Sequence, residues 1–152
     1  MPSCSCEQCK SACRHKPGWF LPGEAELAAQ LKGMSLPDFF KAYLGIDWYE
    51  DMPDGRTQFV LSPAITSMEA GGEFPGNPRG VCVFYQDGKC GIYDARPHEC
   101  RMYLHDEDRT TNDARHLGTA QAWVGNKQPE ELLGREPEAN PYIPSVLDWM
   151  GW

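Results

Sequence analysis

Hydrophobic and polar positions along the chain switch period several times, and each switch marks an expected element. After Pro22-Gly23 the run EAELAAQLKGM places Leu27, Ala28 and Leu31 in a short apolar stripe, with Glu24 and Glu26 at the positive end of a helix dipole and Gly33 as its stop. A second helix follows at once. Ser35 is its N-cap, Pro37 stands in its first turn, FFKAYLG supplies its apolar face and Gly45 closes it. The two are expected to form an antiparallel pair.

Beyond an acidic and aromatic stretch from Asp47 to Asp54, the Asp54-Gly55 turn leads to Thr57–Leu61, a β-prone run that Ser62-Pro63 should end. Residues 70–80 read as a loop on composition alone. Val81–Tyr85 alternates as a short strand, Gln86–Lys89 forms a turn in which Gly88 can adopt positive φ, and Cys90–Tyr93 can pair back. Pro97 then opens a helix with His98, Glu99 and Cys100 in its first turn. A further helix over TTNDARHLGTAQAWVGN takes Thr111 or Asn112 as its cap, whereas 128–144 shows little periodicity. In the tail SVLDWMGW a last helical turn is expected to lay Trp149 and Trp152 on apolar surface. Trp19, Phe20, Phe39, Phe40 and Tyr43 are the candidate core aromatics.

These elements predict a small, loop-rich α+β domain, several short helices and a few short strands around a cysteine site, spanning 1–152 as one unit. At 152 residues a chain can bury about 70% of the surface it exposes when unfolded. Fifteen glycines and 13 prolines exceed the usual combined share of about 12%, so turns and irregular segments should be abundant. A net charge of -8 argues against nucleic acid, whose phosphates call for a basic footprint. No basic region followed by an apolar run opens the chain and no stretch approaches about 18 consecutive apolar residues. A soluble cytoplasmic protein without a membrane partner is expected.

The cysteines add the chemistry. Cys4, Cys6, Cys9 and Cys13 crowd the N-terminus, and Cys82, Cys90 and Cys100 follow after a gap of 68 residues. Closely spaced cysteines in a reducing compartment are more often metal ligands or redox groups than disulfides. Cys6 and Cys9 form a C-x2-C knuckle, in which a short turn lets two sulfurs reach one ion. Cys6, Cys9, Cys13, Cys82, Cys90 and Cys100 are therefore the expected ligands, with Cys4 ranked below them. Arg96 and Arg101 flank Cys100 and can balance thiolate charge. His98 and His105 are nitrogen alternatives, and Glu24 and Glu99 read as helix N-terminal carboxylates before ligands. Thiolates suit zinc and iron alike, including iron-sulfur clusters. Spacing leaves open one four-cysteine zinc site, two ions sharing sulfurs, or a cluster.

Cys82, Phe84, Gly88, Cys90, Ile92, Tyr93, Arg96, Pro97, Cys100 and Arg101 together resemble the second half of the YkgJ-type cysteine cluster proteins, described as zinc- or iron-chelating domains. The first half of that family reads C-x2-C-x2-C-C. Cys6, Cys9 and Cys13 align with its first, second and fourth cysteines, and Ala12 stands where the third would be. The resemblance runs from about residue 4 to residue 101. It implies metal binding, and through longer flagellin lysine N-methylases that carry the same module it associates the chain with an iron-sulfur enzyme or protein-lysine methyl transfer. No Ser-His-Asp, phosphate-loop or H-E-x-x-H signature accompanies it. A metal-binding module is the favoured expectation, with zinc or iron as cofactor.

Overall fold

The computed structural model describes residues 17–76, 80–102 and 108–140. In them five helices and two small antiparallel sheets make a small α+β domain. The order is α1 (Glu24–Leu31), α2 (Leu36–Tyr43), β1 (Leu44–Tyr49), β2 (Gln58–Pro63), β3 (Tyr85–Gln86), β4 (Lys89–Cys90), a 3-10 turn (Tyr93–Ala95), α3 (His98–Met102), α4 (Arg109–Ala122) and α5 (Gln128–Leu133). Among the described residues no helix is long and apolar enough to cross a membrane. The tail from 141 onward, with its expected helical turn, lies outside them.

Local chemistry sets the helix ends. Gly33, at φ 68°, and Met34 return their N–H groups to Gln30 and Ala29, closing α1 in a Schellman turn. The Ser35 hydroxyl accepts the Asp38 N–H and starts α2. The buried face of α1 differs from the expected stripe. Ala25, Ala28 and Ala29 are buried, while Leu27 and Leu31 are half exposed, because small side chains let this helix lie close on the core. Cap and start of α4 also shift: Asp108 accepts the Thr111 N–H at 2.7 Å, so the helix begins at Arg109. Pro129 in the first turn and Gly134 at φ 82° bound α5, a helix that the proline-rich sequence had masked.

The central hairpin pairs β1 with β2 from Leu44↔Pro63 to Tyr49↔Gln58. Its second strand runs through Ser62-Pro63, and its first strand includes Gly45, which is not a helix stop. A Cβ on Gly45 would lie 2.7 Å from Met68 Cε and 2.8 Å from Phe74 Cε1, so the glycine serves close packing within a strand. Residues 71–74 line the free edge of β1 through Gly71 N–H to Leu44 O, Ile46 N–H to Gly72 O and Phe74 N–H to Ile46 O. Phe20 N–H bonds Leu61 O on the other strand.

One hydrophobic cluster holds these layers together. Trp19, Phe20, Phe39 and Phe40 lie in it almost without exposure, and Tyr43 packs against it half-buried. Trp123, the C-cap of α4, joins them and donates Nε1–H to Phe20 O at 2.8 Å. Polar tips of buried tryptophans require such partners, and this bond fastens α4 to the segment that precedes α1.

Candidate metal centre

Three separate pieces of backbone carry the described cysteines. Cys82 lies just past the central hairpin, where an antiparallel bridge pairs it with Ile65 and flanking bonds join Thr66 to Val81 and Val83 to Ala64. Its side chain is buried in the hydrophobic cluster. The expected strand over 81–85 is thus reduced to this bridge plus the short β3.

Cys90 ends a two-residue hairpin. Asp87 and Gly88 both take positive φ, 52° and 75°, which is the turn geometry that matches strand twist in a tight hairpin. Tyr85 pairs with Cys90 and Gln86 with Lys89. Beyond Cys90 one further bond, Gly91 N–H to Phe84 O, extends the pairing before the 3-10 turn begins, so the expected return strand stops short of Tyr93. Burial pushes the Cys90 thiol up, against the opposing pull of the Ile92 N–H and of the Arg96 and Lys32 charges.

Cys100 belongs to α3, and the segment entering the fold from the N-terminal side holds that helix. Gly18 N–H points at Cys100 Sγ over 3.3 Å. Trp19 N–H donates to Glu99 Oε1 at 2.9 Å. Glu24 Oε1 accepts both the Leu21 N–H and the His98 N–H, at 2.7 and 2.9 Å, and Glu24 Oε2 pairs with Arg101. A Cβ at position 18 would meet Glu99 Cβ at 2.7 Å and Cys100 Sγ at 3.1 Å. Glycine is therefore the residue that lets backbone approach the sulfur here.

This cradle suits a sulfur that carries negative charge, since an N–H aimed at it stabilises a thiolate. Thiolate donors together with such N–H groups are the chemistry by which zinc or iron is held. Arg96 contributes positive charge to Cys90, stacks over the Tyr93 ring at 3.8 Å and donates Nε–H to Tyr93 O. Arg101 is engaged by Glu24.

Cys4, Cys6, Cys9, Cys13 and His105 lie outside the described residues. Among the described residues no disulfide joins Cys82, Cys90 and Cys100, and no group of three or more His, Cys, Asp or Glu side chains is gathered for an ion. Glu24 acts as a cap for α3, a role across elements beyond its place at the start of α1.

Glu99 and His116 form the feature that sequence reading did not anticipate. Glu99, buried to 7% exposure, accepts from Trp19 with one oxygen and lies 2.7 Å from His116 Nδ1 with the other. His116 comes from α4, stacks on Trp19 with centroids 3.6 Å apart and meets Tyr49 edge-on. Trp19 in turn donates Nε1–H to buried Asp47 at 2.9 Å. Seventeen residues separate Glu99 from His116, and no local pattern signals the pairing.

Comparison with protein-family models, curated proteins and solved structures finds no significant match.

Proposed function

We propose that this chain is a cytoplasmic metal-binding protein that holds zinc or iron, the latter as ions or as an iron-sulfur cluster, through Cys6, Cys9, Cys13, Cys82, Cys90 and Cys100, with Cys4 as a lesser candidate. The observation that carries the reading is the Gly18 N–H on Cys100 Sγ. Cys13 precedes Gly18 by five residues, so chain length alone limits its Cα to about 18 Å from that of Gly18. Chain connectivity thus limits how far Cys13 can lie from Cys100.

When bound, the metal would close a loop of about 70 residues and add its binding energy to folding. The chain's own residues prepare for it. Gly18 supplies an N–H and room at the Cys100 sulfur, Glu24 fixes the helix that carries the same cysteine, and Lys32 and Arg96 offset charge at Cys90. Burial keeps Cys90 protonated in the metal-free state, so coordination there releases a proton.

Metal and acid-labile sulfide analysis, with an absorption spectrum, on untagged protein purified without oxygen tests the reading. Stoichiometric zinc, or iron with sulfide, is expected in the wild type, with clear loss in Cys90→Ser and a smaller loss in Cys4→Ser. Metal-free wild type, or equal metal content and melting temperature in wild type and Cys90→Ser, would refute it.

A further inference from the structure

We infer that residues 135–140 form a strap that opens and closes as one unit about Gly134, with the Glu73 carboxylate as its latch; this stands apart from the metal-binding reading. The helix before the strap is fixed. Leu132 and Leu133 of α5 pack against the hydrophobic cluster, and Gly134 N–H closes the helix on Glu130 O. Gly134 itself takes φ 82°, a left-handed conformation that glycine adopts at little cost. From there the chain crosses to the 71–74 segment that lines β1. Arg135 donates Nη1–H and Nη2–H to the two oxygens of Glu73, each at 2.7 Å, and the Glu138 N–H reaches Glu73 Oε2 at 3.1 Å. The Asn140 side-chain amide donates to Phe74 O, and Pro137 between them is buried. Among the described residues no backbone-to-backbone hydrogen bond ties 135–140 to the domain.

One carboxylate therefore carries most of the hold. The Glu73 side chain is 11% exposed and that of Arg135 56%, so the acceptor stays with the domain and the donor is the part that swings. Isolated surface ion pairs contribute little, but two parallel N–H bonds to one shielded carboxylate are the geometry in which such a pair counts. The same guanidinium holds the Glu73 carboxyl below the usual carboxylate range. Because three donors share a single acceptor group, releasing Arg135 also loosens the Glu138 N–H, which it does not touch. The β1–β2 ladder is made of main-chain bonds over buried residues and stays closed when side-chain fastenings at the edge let go. Opening uncovers Glu73 and the Phe74 carbonyl at the side of the central sheet.

Amide hydrogen exchange followed by NMR on the full chain at low urea concentrations tests this. In the wild type, exchange at Glu138 should be protected yet independent of urea, as for a local opening, whereas Phe20 and Ile46, bonded to Leu61 O and Gly72 O, should exchange faster as urea rises. Arg135→Gln should speed exchange at Glu138 about 10-fold while leaving Phe20 and Ile46 unchanged. Arg135→Lys, which keeps the charge but not the fork, should fall between the two. Unchanged exchange at Glu138 in Arg135→Gln overturns the latch. Equal acceleration at Glu138, Phe20 and Ile46, a wild-type Glu138 amide that follows urea as Phe20 does, or one that exchanges at the free-peptide rate overturns the strap as a separate unit.

Discussion

Glu24, the first residue of α1, accepts the backbone N–H of His98, the first residue of α3, at 2.9 Å across 74 positions of sequence. The same carboxylate takes the Leu21 N–H and the Arg101 guanidinium. A five-residue helix makes few internal hydrogen bonds and its leading N–H groups have no partner within it. Glu24 supplies what the helix cannot, and so holds Cys100 in place from another element.

Glu24→Ala should therefore destabilise the protein by about 2–3 kcal/mol, because it strands two N–H groups and a guanidinium near the core. Glu24→Gln keeps an acceptor oxygen but loses the charge and should cost less. Urea denaturation of the metal-free proteins measures both. Alkylation of Cys100 should be faster in Glu24→Ala than in wild type, and equal rates would show that the carboxylate does not hold this turn.

What the sequence revealed follows from how local each determinant is. Ser35, Gly33, Asp87-Gly88 and Pro97 act within three or four residues, and each stands where its chemistry predicts. Strand β1 was illegible because LGIDWY carries a glycine and an aspartate that single-strand propensity disfavours. Its partner β2, the 71–74 segment and the Trp19 indole on Asp47 make it a strand. Leu27 and Leu31 misled for a related reason: the alanines between them meet the core, and periodicity ranks leucine above alanine. The Glu99–His116 pair depends on where α4 docks, which no window around either residue encodes.

Gly45 offers a direct test of that tertiary control. Its backbone is buried in β1 against Phe74, which is wholly buried itself, and a methyl group there would press on Phe74 and Met68. Methionine can yield, but a buried phenylalanine in a closed core cannot move freely. Gly45→Ala should cost about 1–3 kcal/mol as overpacking, read as a lower thermal midpoint. Were Gly45 a helix terminator instead, alanine there would be neutral or stabilising.

Cys90 links the candidate centre to pH. Burial raises its thiol above the ordinary cysteine value, with Ile92, Arg96 and Lys32 opposing in part. In the metal-free protein the folded state therefore retains a proton that the unfolded chain begins to release near about pH 8.5. Stability that is fully present below that pH is lost as pH rises towards the folded-state value, by at most about 1.4 kcal/mol per pH unit from this one group. Urea midpoints of metal-free wild type should decline between about pH 8 and about pH 10, and Cys90→Ser, whose hydroxyl does not titrate in that range, should decline less steeply. Parallel declines would mean that Cys90 meets the same environment folded and unfolded. Bound metal should flatten the wild-type curve, because a coordinated sulfur has already given up its proton.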